Sequence, residues 1–350
     1  MLHFDSDYME GAHPAIIERL AATNLDQTSG YGTDEVCERA RDRIRAACGC
    51  PQAGVYFLVG GTQANAVVAD QLLRPWEGVV AATTGHIHAH EAGAVEACGR
   101  KVLPLPHANG KLAAADIRSL CESYWADENR EHIVAPGMVY LSHPSEYGTV
   151  YSLAELEDIA QVCRDFDMRL FVDGARLAYG LAARGADVTL PDLARLADAF
   201  YIGGTKCGAL FGEAVVFTKP GLDDHFFTLM KKRGALLAKG RILGLQFDVL
   251  FEEVARADGT TALRYEDIAQ HAVDLALRAR EGFVGAGYEL AIDSPTNQQF
   301  VVLDDATRER LARDASFGFW EKLPDGRTVV RFATSWATPD ETIDRLLALL

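Results

Sequence analysis

The feature that most constrains the fold is a repeated alternation of short apolar strands with helices in the first two thirds of the chain. Runs of branched and aromatic residues predict strands, and apolar residues spaced three or four apart predict helices between them. Predicted strands cover 55–59, 78–82, 101–105, 138–142, 169–172, 200–202 and 214–217, and predicted helices cover 34–47, 62–73, 88–98, 116–124, 152–167 and a short segment from 190. This order predicts an α/β fold with a mainly parallel sheet that is covered on both faces. The last of these strands follows a Gly-rich turn so closely that it should pair antiparallel.

The pattern changes after about residue 219. Predicted helices cover 222–253, interrupted near Gly234 and Gly240, then 262–286 and 339–350, with predicted strands at 300–303 and 329–333. This second part predicts a smaller α+β unit. We therefore expect residues 1–250 to form an N-terminal arm and a large domain, and residues 251–350 to form a small C-terminal domain. Residues 1–33 are polar and contain glycine turns, so we expect them to be irregular.

Composition excludes several classes of function. The formal net charge of −16 argues against binding to nucleic acid or to an anionic membrane, because both need clustered lysine and arginine. No apolar run approaches the roughly 20 residues that span a bilayer. The start of the chain has no signal-peptide pattern, and the seven cysteines are odd in number and lack a Cys-x-x-Cys motif. We expect a cytoplasmic protein without a metal site.

Two strand ends carry the most informative residues. Asp173 follows Leu-Phe-Val, and Lys206 follows Tyr-Ile-Gly-Gly-Thr. Enzymes that use pyridoxal phosphate need this pair, because a lysine forms the Schiff base and an aspartate keeps the pyridine nitrogen protonated. Alternatively, Asp173 caps a helix or binds a metal, and Lys206 is an ordinary solvated lysine. The small and apolar neighbours of Lys206 favour a buried, functional residue.

Three further segments are candidates for binding. Residues 60–65, Gly-Gly-Thr-Gln-Ala-Asn, follow a strand and open a helix, which suits either a phosphate site or a tight turn. Residues 84–91 hold three histidines and a glutamate in a spacing that fits no zinc motif, so we expect one histidine to stack on a cofactor. Arg331 lies between apolar residues of a predicted strand, so a carboxylate of the protein or the substrate should lie nearby.

In order and spacing, these segments resemble the threonine aldolase family of pyridoxal phosphate enzymes, in the β-eliminating lyase group with the aspartate aminotransferase-like fold (fold type I). The resemblance covers nearly the whole chain. The segments that carry it are 4–7, 31–35, 61–65, 85–87, 91–93, 146–151, 172–176, 203–208, 212–214 and 331–335.

The resemblance implies a role for each candidate residue. Lys206 would hold pyridoxal 5'-phosphate covalently, Asp173 would bind its pyridine nitrogen, and His86 would stack on its ring. The other residues implied to bind the cofactor are Gly61, Thr62, Arg176, Thr205, Arg241 and Tyr31, with Arg241 and Tyr31 reaching a neighbouring subunit of a homodimer or homotetramer. The residues implied to bind the substrate are Ser6, Arg176, Arg331 and Glu146.

One loop departs from the family pattern. Many members carry a histidine in the loop after the strand that ends near Leu141, whereas alignment of this chain places Glu146 there and leaves His143 displaced. We expect a lyase that cleaves L-threonine-like β-hydroxy-α-amino acids to glycine and an aldehyde, with His86 as first and Glu146 as second candidate for the base. The alternatives are β-elimination, less favoured transamination, and a non-catalytic binding protein on the same fold.

Overall fold

The computed structural model describes residues 1–256 and 258–350, which form three sheets and the helices around them. The strands are β1 (Leu2–Phe4), β2 (Gly54–Leu58), β3 (Glu77–Ala82), β4 (Lys101–Leu105), β5 (Ala135–Ser142), β6 (Arg169–Asp173), β7 (Ala199–Gly203), β8 (Glu213–Phe217), β9 (Glu253–Ala255), β10 (Thr261–Leu263), β11 (Glu289–Ile292), β12 (Gln298–Leu303), β13 (Ala315–Lys322) and β14 (Thr328–Ala333). The α-helices are α1 (Pro14–Ala22), α2 (Glu35–Ala47), α3 (Gly61–Leu72), α4 (His86–Ala89), α5 (Ala114–Ala126), α6 (Leu153–Asp165), α7 (Leu177–Leu181), α8 (Leu190–Leu196), α9 (Phe226–Lys232), α10 (Arg241–Leu250), α11 (Arg264–Gly285), α12 (Asp305–Leu311) and α13 (Asp340–Leu347).

The large sheet has seven strands in the order β2-β8-β7-β6-β5-β3-β4. Strands β3 to β7 pair in parallel, and β8 pairs antiparallel with both of its neighbours. The predicted mainly parallel sheet and the antiparallel return of its last strand are therefore confirmed.

Helices cover both faces of this sheet, which explains why its central strands are apolar at nearly every position. On one face Val80, Val139 and Phe200 pack in a cluster with residues of α2, α6 and α10. On the other face Val79 and Tyr201 pack with residues of α3 and α9. The two clusters bury successive residues of the same strands on opposite sides, as a pleated sheet requires.

The strand ends that carry chemistry meet at one edge of the sheet. Gly203, the last residue of β7, pairs with Glu213, the first residue of β8, and β6 ends beside them at Asp173. The chain is crowded there, because a Cβ on Gly174 would lie 1.9 Å from the Tyr201 carbonyl oxygen. Glycine after Asp173 therefore lets two strand ends approach closely.

The second sheet, of five strands, has the order β1-β13-β14-β12-β11, and α11 and α13 pack against it. Its first strand comes from the N-terminus and pairs in parallel with β13. The expectation that residues 1–33 are irregular is therefore wrong, since they contain β1 and α1. Strand β1 is too short to give a pattern, and a partner more than 300 residues away stabilises it. The domain boundary near residue 250 stays a prediction, although β1 belongs to the C-terminal sheet.

Several predicted helices have different bounds, and the stretch predicted over 222–253 forms the two shorter helices α9 and α10. The helix expected over 88–98 is wrong: α4 ends at Ala89, and only a short 3₁₀ turn follows at Glu96–Cys98. Left-handed backbone at Ala92 and Gly93, with φ of 52° and 76°, breaks the helix between them. The helix expected over 262–286 begins at Arg264, because β10 pairs with β9 just before it. Strands β9, β10, β11 and β13 were not predicted.

The longest apolar segments of the structure are strands and core helices. Within residues 1–256 and 258–350, no helix is both long enough and apolar enough to cross a bilayer.

Candidate active site

A cavity of about 280 Å³ opens at the carboxyl edge of the large sheet, where ligands collect in open α/β folds. It is lined by residues that follow β2, β3, β5, β6 and β7 and by the first residue of β8. The predicted site residues that line it are Gly61, Thr62, His86, Glu146, Asp173, Arg176, Thr205 and Lys206.

Asp173 has the most completely satisfied carboxylate of the cavity, and it is 4% exposed. Its Oδ1 accepts hydrogen bonds from the Tyr201 hydroxyl at 2.5 Å and the Ala175 N–H at 2.9 Å. Its Oδ2 accepts from the Tyr140 hydroxyl at 2.6 Å and the Asn65 amide at 3.0 Å. The alternation of strand residues places both tyrosines on the same face as Asp173. Four donors therefore fix the orientation of this carboxylate at the cavity wall.

Lys206 lies just beyond the end of β7 and lines the same cavity. Within the described residues its Nζ has neither a hydrogen bond nor an ion pair, and the Tyr8 ring centroid is 5.9 Å away. Burial, and the charge of Arg176, lower the pKa of Lys206 below its usual value. A partly buried amine without a fixed partner, and with a lowered pKa, is suited to act as a nucleophile.

The start of α3 forms the third wall of the cavity. Gly60 caps this helix without a side-chain hydrogen bond, so the N–H groups of the first turn face the cavity without an internal partner. A Cβ on Gly61 would lie 2.9 Å from the Tyr201 hydroxyl oxygen, so glycine keeps this cradle open. An open helix N-terminus of this kind suits a phosphate group.

His86 is held by two acidic residues. Its Nδ1 lies 2.7 Å from Glu91 Oε1, and its backbone N–H donates to Glu146 Oε1 at 2.9 Å. Burial lowers the pKa of His86, but the hydrogen bond to Glu91 and the charge of Asp173 outweigh it and raise that pKa above the usual value. The same Glu91 oxygen accepts from the Asn65 amide at 2.7 Å, which links His86 to the partners of Asp173.

Glu146, a predicted substrate-binding residue, lies in the loop after β5. Its Oε1 accepts from the Ser142 hydroxyl at 2.6 Å and from the His86 N–H, whereas no other described residue donates to its Oε2. Burial and the charge of Asp173 raise the pKa of Glu146. His143 does not replace it: this residue is 1% exposed behind the cavity wall, and burial lowers its pKa to about 4.

Arg176 makes an ion pair that the sequence did not reveal. Its Nε and Nη2 donate to the two carboxylate oxygens of Asp7 at 2.7 Å and 2.9 Å, and Asp7 also accepts from the Asn297 amide at 2.9 Å. Burial raises the pKa of Asp7, but Arg176 outweighs this and holds that pKa below its usual value. The Arg176 guanidinium is thus fixed at the cavity with one edge occupied.

Arg331 has no carboxylate within ion-pair distance among the described residues. Its guanidinium donates to Gln298 Oε1 at 3.1 Å and to the Asp5 carbonyl at 3.0 Å, and its Nε is buried without a partner. Burial, and the nearby charge of Arg176, lower the pKa of Arg331. No described carboxylate of the protein therefore pairs with Arg331, which does not itself line the cavity, and its predicted role in substrate binding stays a prediction.

Besides Arg331, three predicted residues do not line the cavity. Tyr31 is 44% exposed and packs against Lys231, whose Nζ is 4.7 Å from its ring centroid. Arg241 donates to the Thr23 carbonyl at 2.8 Å. Ser6 precedes Asp7, and its side chain makes no hydrogen bond within the described part of the chain. The roles predicted for these residues stay predictions.

Several residues that complete the site were not predicted from the sequence. They are Asp7, Asn65, Tyr140, Tyr201, Glu91 and Glu213. Asn65 lies inside the glycine-rich segment and Glu91 inside the histidine segment, so both were visible as polar residues in informative motifs. The two tyrosines were counted only as strand residues, although strand alternation places them beside Asp173.

The arrangement fits pyridoxal phosphate. Lys206 would supply the covalent amine, Asp173 the partner of the pyridine nitrogen, the first turn of α3 the phosphate donors, and His86 a surface for the ring. The fold and this site together define a pyridoxal phosphate enzyme of the aspartate aminotransferase-like fold type I.

Comparison with known proteins identifies the family. The model of the beta-eliminating lyases matches residues 3–306, and the chain belongs to this family. A threonine aldolase from Leishmania major is 40% identical, with a TM-score of 0.93 over 100% of this chain and 98% of that chain. A low specificity L-threonine aldolase from Pseudomonas aeruginosa is 28% identical over 98% of this chain and 95% of its own length. A serine palmitoyltransferase from Sphingomonas wittichii shares the fold, with 14% identity and a TM-score of 0.69 over 99% of this chain and 85% of that chain.

The Asp7–Arg176 pair leads to a stability prediction. Asp7→Asn leaves the Arg176 charge buried without its partner, which typically costs about 3–5 kcal/mol of unfolding free energy. Because the pKa of Asp7 is lowered on folding, its contribution is present above the ordinary aspartate pKa and is lost as pH falls through the lowered one. In urea unfolding we expect a large loss of stability for Asp7→Asn at pH 7 that shrinks in strong acid.

Asp5→Asn is the matched control, because the Asp5 carboxylate is 41% exposed. It should unfold close to the wild type at both pH values. Equal stability of Asp7→Asn and Asp5→Asn at pH 7 would show that the buried pair does not stabilise this site.

Proposed function

We propose that this protein is a pyridoxal phosphate-dependent carbon–carbon lyase that cleaves L-threonine, L-allo-threonine and related β-hydroxy-α-amino acids to glycine and an aldehyde. The observation that carries the proposal is the convergence of Lys206, Asp173 and Glu146 on one cavity. An amine, a fixed carboxylate and a carboxylate with a free oxygen meet the needs of this reaction. The full-length similarity to the Leishmania major threonine aldolase supports the choice of substrate class.

The residues of the chain divide the work of cleavage. When bound, pyridoxal phosphate supplies an electron sink for the pair released from the Cα–Cβ bond. Asp173 would hold a proton at the pyridine nitrogen. Lys206 would hold the cofactor until the substrate amine displaces it. The first turn of α3 would anchor the phosphate, so that the cofactor keeps its place after Lys206 is released.

The arginines would orient the substrate. Arg331 has an unpaired charge within the described residues, and Arg176 has one edge held by Asp7. With the hydroxyl of Ser6, they would bind the α-carboxylate and thereby fix the rotation about the bond to the amine. Fixing this rotation decides which bond at Cα breaks.

We propose Glu146 as the base for the β-hydroxyl, ahead of His86. Its Oε2 is free to accept a proton, while Oε1 is held by Ser142 and the His86 backbone. Its raised pKa makes it a stronger base than an ordinary carboxylate. His86 is tied to Glu91 through Nδ1, and its raised pKa favours the protonated ring, which suits a stacking role better.

The main alternative is β-elimination on another amino acid, which the name of the matched family favours. It would use the same lysine, aspartate and arginines, as would the less favoured transamination. A non-catalytic role would be favoured only if Lys206 lay apart from Asp173, and the two residues line one cavity. Product analysis separates the alternatives, because elimination from threonine releases ammonia and a keto acid instead of glycine.

The first test compares the wild type with two variants on threonine, allo-threonine and phenylserine. We expect glycine release by the wild type. In Lys206→Ala it should nearly vanish, because the covalent anchor is gone. Asp173→Asn keeps the anchor but loses the charge at the pyridine nitrogen. If the roughly 3–5 kcal/mol of a broken buried pair appears entirely in the transition state, the rate falls about two to four orders of magnitude.

An absorbance band near the visible edge that borohydride abolishes is the control for cofactor attachment. It should be present in the wild type and Asp173→Asn and absent in Lys206→Ala. Ammonia without glycine would favour the elimination alternative. Wild-type rates in Asp173→Asn would show that another carboxylate serves the ring.

The second test concerns the base. If Glu146 must be deprotonated, kcat/KM rises as pH passes its raised pKa, so the acid limb lies above the range of an ordinary carboxyl group. Glu146→Gln should lower kcat/KM by roughly 10²–10⁴-fold and remove that limb.

Ser142→Ala is the companion variant, since the Ser142 hydroxyl lowers the pKa of Glu146. Its acid limb should move to higher pH than in the wild type. If Glu146→Gln kept both the wild-type kcat/KM and the acid limb of its pH dependence, the base would be His86 instead.

We also propose a homodimer or homotetramer in the cytoplasm. The structure gives Tyr31 and Arg241 no role in the cavity of their own chain, and the family resemblance gives them one in a neighbour's cavity. All seven cysteines are free, which suits a reducing compartment. Light scattering should give at least twice the chain mass of 38.1 kDa. A fully active monomer would contradict the proposed assembly.

A further inference from the structure

Glu213 is a buried carboxylate of the cavity to which the proposed mechanism gives no role. It is 3% exposed and lines the cavity together with Lys206. As the first residue of β8, which runs opposite to β7, it lies at the edge where β6 and β7 end. The antiparallel turn between β7 and β8 therefore places Glu213 at the same edge of the sheet as Lys206.

Only neutral groups of this turn hold the Glu213 side chain. Its Oε1 accepts from the Thr205 hydroxyl at 2.8 Å, and its Oε2 accepts from the Gly204 N–H at 3.3 Å. The Thr205 oxygen in turn accepts from the Gly212 N–H at 3.0 Å. Within residues 1–256 and 258–350, no arginine or lysine nitrogen lies within 4.0 Å of the Glu213 carboxylate, so Glu213 makes no ion pair. Both donors come from the two residues before Lys206, so Glu213 is fixed relative to that lysine.

The charges around these two groups couple their ionisation. Burial raises the pKa of Glu213 to about 8, although the charge of Lys206 opposes the rise and Asp173 adds to it. Burial lowers the pKa of Lys206, Arg176 lowers it further, and Asp7, Glu213 and Asp173 oppose this. Since an isolated buried charge is costly, the ammonium form of Lys206 is favoured while Glu213 is ionised.

We propose that Glu213 is the proton partner of Lys206. Its carboxylate takes the proton that the Lys206 ammonium must lose before the amine can attach to the cofactor, and returns it when the substrate amine displaces the lysine. One N–H bond breaks and one O–H bond forms, so the number of protons and the total charge are unchanged. The inference rests on the proposed role of Lys206 as the covalent lysine.

The proton does not pass directly between the two groups. No ion pair within 4.0 Å joins the two groups, so the proton passes when the flexible lysine side chain swings toward Glu213 or through one bridging water. Glu213 acts through Lys206, and we therefore class it as a positioning residue. Its alternative role is purely structural, as an acceptor that closes the turn between β7 and β8.

The test measures the ionisation of Lys206 in the full chain without cofactor or substrate. Acetic anhydride modifies only neutral amines, and mass spectrometry follows the peptide that contains Lys206 against the exposed Lys101 as internal reference. Glu213→Gln removes the charge that favours the ammonium form, so the pH midpoint of Lys206 modification should fall by about one unit. At a fixed pH below the midpoint, modification should be about tenfold faster, since one unit is a factor of ten.

Two variants separate this role from a structural one. Glu213→Asp keeps the charge and should return the midpoint toward the wild-type value. Glu252→Gln makes the same charge change outside the cavity, beside Arg19, and should leave the midpoint unchanged. An unchanged midpoint in a folded Glu213→Gln would overturn the proposal.

A second measurement does not depend on folding of a Glu213 variant. Removing the lysine charge should raise the pKa of Glu213, so the infrared band of a protonated carboxyl group should persist to higher pH in Lys206→Ala than in the wild type. Identical infrared titrations would overturn the proposal. Both measurements use the protein without substrate. They therefore test the role of Glu213 even if the protein does not catalyse the aldol reaction.

Discussion

The site depends above all on the burial of the Asp173 carboxylate at the end of β6. A buried carboxylate is tolerated only where its oxygens find donors, and here two strands, a helix and a turn supply them. Tyr140 comes from β5 and Tyr201 from β7, so the hydrogen bonds join the three central strands at their ends. The amide of Asn65 ties α3 to the same carboxylate, which places an open helix N-terminus at a fixed distance from it.

The same principle organises the remaining charges in and near the cavity. Arg176 is balanced by Asp7, and His86 by Glu91, each within hydrogen-bond distance. Lys206 lacks such a partner among the described residues, and so does Arg331 with respect to carboxylates. The groups with fixed partners hold the shape of the site, and we propose that the groups without them bind cofactor and substrate. The presence or absence of a fixed partner therefore distinguishes structural charged residues from proposed reactive ones more clearly than their burial does.

Local pattern was sufficient for the large sheet and insufficient for the parts held by distant contacts. Strands β6 to β8 were predicted to within one residue at each end, because each is buried on both faces and bounded by glycine or polar residues. Strand β1 escaped notice, because three residues give no period and its partner β13 lies at the other end of the chain. The broken helix after His86 escaped because Ala92 adopts a left-handed backbone that its residue type does not predict.

For the candidate site, too, local sequence pattern identified some residues and missed those that depend on distant contacts. Lys206 and Asp173, which line one cavity, were singled out because each is a polar residue at the end of an apolar strand. Asp7 was not, since its partner Arg176 is 169 residues away in the chain. Glu213 could have been predicted. Once β8 is expected to return antiparallel from β7, its first residue must lie at the same edge of the sheet as Lys206. Topology thus turns a sequence pattern into a spatial one, and a polar residue at the start of a returning strand is as informative as one at the end of an outgoing strand.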